Sequence, residues 1–253
     1  MSRSRFAILT AAVLVAGCQA PAAAPTGAVA GESQPLFGAS LNTWAKLGAD
    51  QQVSEVGFTM PLAIVEAAPT AGAPSLVRAR FPEAVARSTF INHLTVDYNP
   101  EGHPPEKVYD KPHFDLHFYA MPAAEVDAID CADQTLPATD AVPAGFALLP
   151  PGTGECVPKM GFHASSLASP ELAPENPQPF NHTMILGYYG GKLNFVEPMV
   201  TREFLLTKQD FSYPVAKPAS IGRATRYPTS FKATYDAEAK AYHFALSDFV
   251  QAE

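Results

Sequence analysis

The sequence is short of positive charge: 17 Lys and Arg stand against 25 Asp and Glu, for a formal net charge of −8. That balance excludes a protein that grips a phosphate backbone, so no nucleic-acid partner is expected. The apolar run from Phe6 to Ala16 falls well short of the about 20 residues that span a bilayer as a helix. No Gly-rich phosphate loop, nucleophile elbow or HExxH motif is present, which sets aside the commonest phosphoryl-transfer, hydrolase and zinc-protease signatures. No segment repeats at a period of 20–50 residues. What is abundant is equally exclusive. Twenty-five prolines rule out a bundle of long helices, and 47% hydrophobic residues rule out a disordered chain.

The N-terminus reads as an address. Arg3 and Arg5 precede the apolar run, which ends at the small residues Ala16 and Gly17 before Cys18. A basic region, a short apolar core and small residues at a cleavage point make a secretory signal over residues 1–17. Leu14-Val15-Ala16-Gly17-Cys18 resembles the lipobox of bacterial lipoproteins, in which the cysteine is lipidated and becomes the first mature residue. Two or three acyl chains on Cys18 would anchor the protein stably to a membrane surface. Gln19 stands where an Asp would resemble an inner-membrane retention signal, so the resemblance implies the outer membrane, on its periplasmic face. Residues 18–35 are small, proline-dotted and nearly uncharged, which suits a flexible tether. Its seventeen residues after Cys18 would span about 23 Å as a coil.

Only Cys131 and Cys156 then remain, and an even pair in an oxidising compartment reads as one disulfide. Residues 36–253 read as a single, mainly β domain, an antiparallel barrel or sandwich with long Pro-rich loops and one short helix at Ala123–Ile129. Gly48–Gln51, Gly190-Gly191 and Asp236–Lys240 mark three hairpin turns. The proline-rich stretches 132–158 and 164–180 are long enough that they should wrap the scaffold or line an opening.

The densest polar cluster falls on Pro112–Ala120. On a strand, His113, Asp115, His117 and Tyr119 share one face, while Phe114, Leu116 and Phe118 share the core face. Residues two apart on a strand lie about 6.6 Å apart and residues four apart about 13 Å. Asp115 can therefore share an ion with either histidine, but His113 and His117 share one only if the strand bends. An undistorted two-residue turn at Gly190-Gly191 would set His182, Met184, Glu197 and Met199 on one face of the following hairpin. His113, Asp115, His117, His163 and Glu197 are the leading candidate ligands, with His103 and His182 behind them. Histidines with a carboxylate suit zinc, iron or manganese, and a His/Met/Met face would suit copper, which ranks lower. An open position on such a metal would support hydrolysis or oxidation. On a cavity-facing strand, loss of a ligand such as His117 should cost the metal-free fold little. The competing expectation is a non-catalytic envelope protein, oligomeric or ligand-binding, whose polar strand is only structural.

Two blocks carry a family resemblance. Val96-Asp97-Tyr98-Asn99-Pro100-Glu101-Gly102-His103-Pro104-Pro105 followed by Tyr109-Asp110-x-Pro112-His113-Phe114-Asp115-x-His117-Phe118-Tyr119 is the first, and Gly187-Tyr188-Tyr189-x-Gly191-Lys192 through Phe195-x-Glu197-Pro198-Met199-Val200-Thr201 the second. Together they resemble a family of uncharacterised exported bacterial proteins, over about residues 37–207. The resemblance implies an exported β-rich domain of unknown function and, since a related member forms one, a homo-oligomer.

Overall fold

The computed structural model describes residues 23–150 and 154–253, so the signal and lipidation readings at residues 1–17 and Cys18 lie outside the described residues. The chain runs through β1 (Val29–Leu36), β2 (Ala39–Leu47), β3 (Val53–Pro61), α1 (Leu62–Ala67), β4 (Ser75–Arg80) and α2 (Glu83–Ser88). It continues with β5 (His93–Asn99), β6 (His113–Tyr119), α3 (Ala123–Asp127), β7 (Phe146–Leu149), β8 (Cys156–Val157) and β9 (Gly161–Ser166). Then follow β10 (His182–Tyr189), β11 (Lys192–Thr201), α4 (Arg202–Leu206), β12 (Phe211–Pro214), β13 (Thr225–Tyr227), β14 (Ser230–Asp236), β15 (Ala241–Ser247) and β16 (Val250–Ala252). The hairpins β2–β3, β10–β11 and β14–β15 form at the three turns read from sequence.

Two antiparallel sheets face one another, so the fold is a sandwich and not a closed barrel. One sheet has the order β1-β2-β3-β15-β14-β12; the other has β4-β5-β6-β11-β10-β9-β7, with β8 added beside β9. Alternation along the strands decides what lies between them. Phe114, Leu116 and Phe118 of β6 join Leu94, Val96 and Tyr98 of β5 in the shared core. Phe118 meets Phe58 of the opposite sheet at 6.2 Å between ring centroids, and Phe58 stacks on Phe244 at 4.8 Å. Complete burial of one such ring stabilises the fold by about 2–3 kcal/mol.

Three sequence expectations change. Residues 18–35 are not tether throughout, because Val29–Leu36 pairs with β2 as an edge strand. Its VAGESQPL sequence has no apolar alternation to announce it; backbone pairing holds it, with Glu32 bound to both the amide and the guanidinium of Arg80. Among the described residues four short α-helices form where one was expected. Three of them follow Pro61, Pro82 and Pro122 directly, each a turn too short to show helical periodicity. Among the described residues, no helix is long and apolar enough to cross a membrane.

The third change is one of register. β10 and β11 pair with the expected offset next to the turn, at Tyr189↔Lys192 and Tyr188↔Leu193, but Gly187 then pairs with Phe195. Asn194 is the extra residue of a β-bulge, its side chain donating to the carbonyl of Met160 at 3.0 Å and its own carbonyl accepting from the Ala120 amide at 2.6 Å. One inserted residue turns every later side chain of β11 to the other face relative to β10. His182 now sits opposite Val200, and Glu197 opposite Ile185.

Candidate metal centre

At the centre of the eight-stranded sheet the outward face is buried as well as the inward one. Every residue of β6 is buried, because Tyr109 and Phe180 from loops and Val126 of α3 pack onto Tyr119, Ile185, Phe195 and Met199 of the sheet in a second apolar cluster. The Cys131–Cys156 disulfide, with Cα atoms 5.7 Å apart, ties the segment after α3 to β8. Through Cys156↔Phe162, β8 pairs with β9, the strand that carries His163.

Polar rows cross the sheet beneath that cover. β5, β6 and β11 align Asp97, Asp115 and Met199 in one row and Asn99, His113 and Thr201 in the next. In a third, Thr95 stands beside His117. The five leading candidate ligands and His103 gather here, but as two groups of three. His103, His113 and Asp115 form one; His117, His163 and Glu197 form the other, the potential ligand atoms of each lying within 4.8 Å of one another. The rise of the strand explains the division, since Asp115 and His117 are anchored about 6.6 Å apart.

In the first triad both histidines turn Nδ1 to a backbone carbonyl, His113 to Lys111 at 2.6 Å and His103 to Pro104 at 2.7 Å. A carbonyl can only accept, so Nδ1 carries the proton and Nε2 is left to face the carboxylate. His113 Nε2 lies 3.1 Å from Asp115 Oδ1, and His103 Nε2 lies 3.4 Å from Oδ2. Yet His113 Nε2 and Asp115 Oδ1 are buried with no hydrogen bond of acceptable geometry. Burial would raise the Asp115 carboxyl, but His113 and His103 hold it well below the usual carboxylate range. His103 feels the converse: against desolvation, Asp115 holds it up at about 9.

The second triad has a carboxylate behind its central histidine. His117 places Nδ1 3.0 Å from Asp97 Oδ2 and Nε2 3.3 Å from Glu197 Oε1, while His163 Nε2 is 4.0 Å from Glu197 Oε2. His117 Nδ1 and Nε2, Asp97 Oδ2 and Glu197 Oε2 also lack hydrogen bonds of acceptable geometry. Burial presses His117 toward its neutral form, but Glu197 and Asp97 outweigh it and hold the imidazole up at about 9. Burial pushes Glu197 up to about 7, against the pull of His117. Burial, with repulsion from His117 and His103, pushes His163 down to about 3. The Phe195 ring stands edge-on to both imidazoles, 4.9 Å from His117 and 5.3 Å from His163. Only glycine fits at 187 beneath that ring, since a Cβ there would lie 2.0 Å from it.

His182 is not at this centre. The bulge turns it away, against Phe204, Phe211 and the Tyr213 hydroxyl. Met184 and Met199 are likewise separated, one in the core between the sheets and one under the loops, so the His/Met/Met face suited to copper does not form. His117, expected to face a cavity, is fully buried. Two contributors escaped the sequence reading as site residues. Asp97 falls within the first block of the family resemblance, but nothing in the sequence paired it with His117. Asn99, which donates to Asp115 Oδ2 at 2.7 Å, falls in the same block, with nothing in the sequence to assign it that role.

Residues 48–98 match the model of a family described as TTHB210-like, hypothetical protein TTHB210, an uncharacterised domain family. That segment runs from the β2–β3 turn through β5 and includes Asp97 but neither triad. No curated protein and no solved structure gives a significant match.

Proposed function

We propose that this is an envelope protein of the bacterial periplasm, held to the outer membrane by lipid on Cys18, whose β sandwich binds a divalent transition metal at His117, His163 and Glu197. The observation behind the metal reading is the set of unpaired atoms. A donor about 2.1 Å from an ion stands about 3.0–3.4 Å from its neighbours in octahedral or tetrahedral geometry. His117 Nε2 and Glu197 Oε1 are already 3.3 Å apart, and buried polar atoms left without partners are otherwise costly. Asp97 behind His117 supplies the carboxylate that commonly orients a ligand imidazole. Two nitrogens and carboxylate oxygen suit zinc, iron(II) or manganese, and three protein ligands leave further positions for water.

His163 is the cleanest ligand to remove, because burial keeps it neutral and its loss strands no charge. Untagged protein reloaded with zinc and desalted should lose one ion per chain on His163→Ala by elemental analysis. His243→Ala, on the other sheet, should leave zinc unchanged. Zinc at background in the unsubstituted protein would instead favour a purely structural polar cluster. The anchor has its own test: Cys18→Ser should release a soluble periplasmic form or stall as precursor. Normal cleavage together with membrane fractionation would contradict lipidation.

A further inference from the structure

We infer that His103, His113 and Asp115 form a second divalent-metal site, so that the protein holds two ions per chain, the outer one exchangeable. The inner ion is the reading proposed above; the outer site stands on its own geometry. Each element of a built site is present there. Both imidazole tautomers are locked by backbone carbonyls with Nε2 directed at one carboxylate. Asn99 orients that carboxylate from β5. His113 and Asp115 are 0% and 2% exposed, and their facing atoms have no hydrogen bond. Distances of 3.1 and 3.4 Å from the carboxylate to the two nitrogens fall within the donor spacing about a first-row ion, about 3.0–3.4 Å.

The two triads are distinct sets. Their anchors on β6, Asp115 and His117, are about 6.6 Å apart along the strand, and each triad gathers its own ligand atoms within 4.8 Å of one another around its own carboxylate. Two separate ions follow, each with its own histidine pair and carboxylate.

Access distinguishes them. The side chain of His103 is 34% exposed, and it rides on a loop closed by the hydrogen bond from its amide to the Tyr109 carbonyl. Gly102 must be glycine for that closure, since a Cβ would lie 2.1 Å from the same carbonyl. An ion held partly by His103 can leave when this loop opens. The inner ion would sit behind Phe195 and the disulfide-tied segment, held by the less exposed His163, whose side chain is 19% exposed.

Zinc alone is the probe. Metal-free protein is reloaded, desalted and assayed by elemental analysis, then challenged with EDTA over time, with the folded state of each variant checked by thermal melting. The unsubstituted protein should hold two zinc ions and lose one of them rapidly. His103→Ala, a loop substitution outside the core, should hold one slowly released ion; His163→Ala should hold one rapidly released ion. If the unsubstituted protein and His103→Ala both hold a single ion, the outer site does not exist and the inner reading survives. A single ion that His103→Ala removes and His163→Ala retains would overturn the two-ion stoichiometry and the inner assignment together, leaving only an outer site. No zinc in any form would overturn both readings.

Discussion

Replacing His117 with Ala should destabilise the metal-free protein by about 3–5 kcal/mol in chemical denaturation, the range for breaking a buried ion pair by removing one partner. His117 is fully buried between Glu197 and Asp97, and its ring stacks on Tyr119 at 5.3 Å. Deleting it leaves two carboxylates facing each other's field with no compensating charge, and a void against Phe195 besides. Addition of Glu197→Gln should return part of the lost stability, because without His117 the Glu197 carboxyl must either ionise in an apolar setting or take up a proton, and Gln does neither. The two substitutions should thus be markedly non-additive. Equal, additive losses would mean that His117 and Glu197 are not electrostatically paired in the folded protein.

Zinc affinity should rise steeply with pH. Ligand groups must shed their protons to bind, and His117 is held up at about 9, with Glu197 at about 7. Below these values each displaced proton competes with the metal, so affinity increases as pH rises. For every proton released, the apparent dissociation constant should fall about 100-fold between pH 6 and pH 8. At the inner triad the effect should be steepest below pH 7, where Glu197 and His117 both surrender protons, and shallower above it. Calorimetric titrations in buffers of different ionisation enthalpy would count the protons directly. An affinity that does not change with pH would exclude His117 as a ligand.

How far the site could be read from the sequence follows from which interactions are local. Alternation along β6 is a property of one strand, so it placed Phe114, Leu116 and Phe118 inward and His113, Asp115 and His117 together on the other face. The same rise per residue already implied that His113 and His117 would not readily share an ion, which is how the two triads divide. Pairing between strands is not local. The bulge at Asn194 depends on Met160 and Ala120, both distant in sequence, and it takes His182 off the face that Glu197 occupies, while the β6–β11 register sets Glu197 beside His117. Asp97 and Asn99 enter through the β5–β6 register, and His103 through a loop with no periodicity. Burial of the polar face was equally hidden, since it comes from Tyr109, Phe180 and Met160 on segments that carry no strand or helix pattern of their own.

The most direct measurement is an anomalous-difference map from zinc-loaded crystals, collected on both sides of the zinc edge. The proposal predicts a peak about 2.1 Å from His117 Nε2 and His163 Nε2, bonded also to Glu197, and a second peak against His103, His113 and Asp115. A loaded protein whose zinc lies elsewhere, with His117 Nε2 still turned only to Glu197, would contradict it.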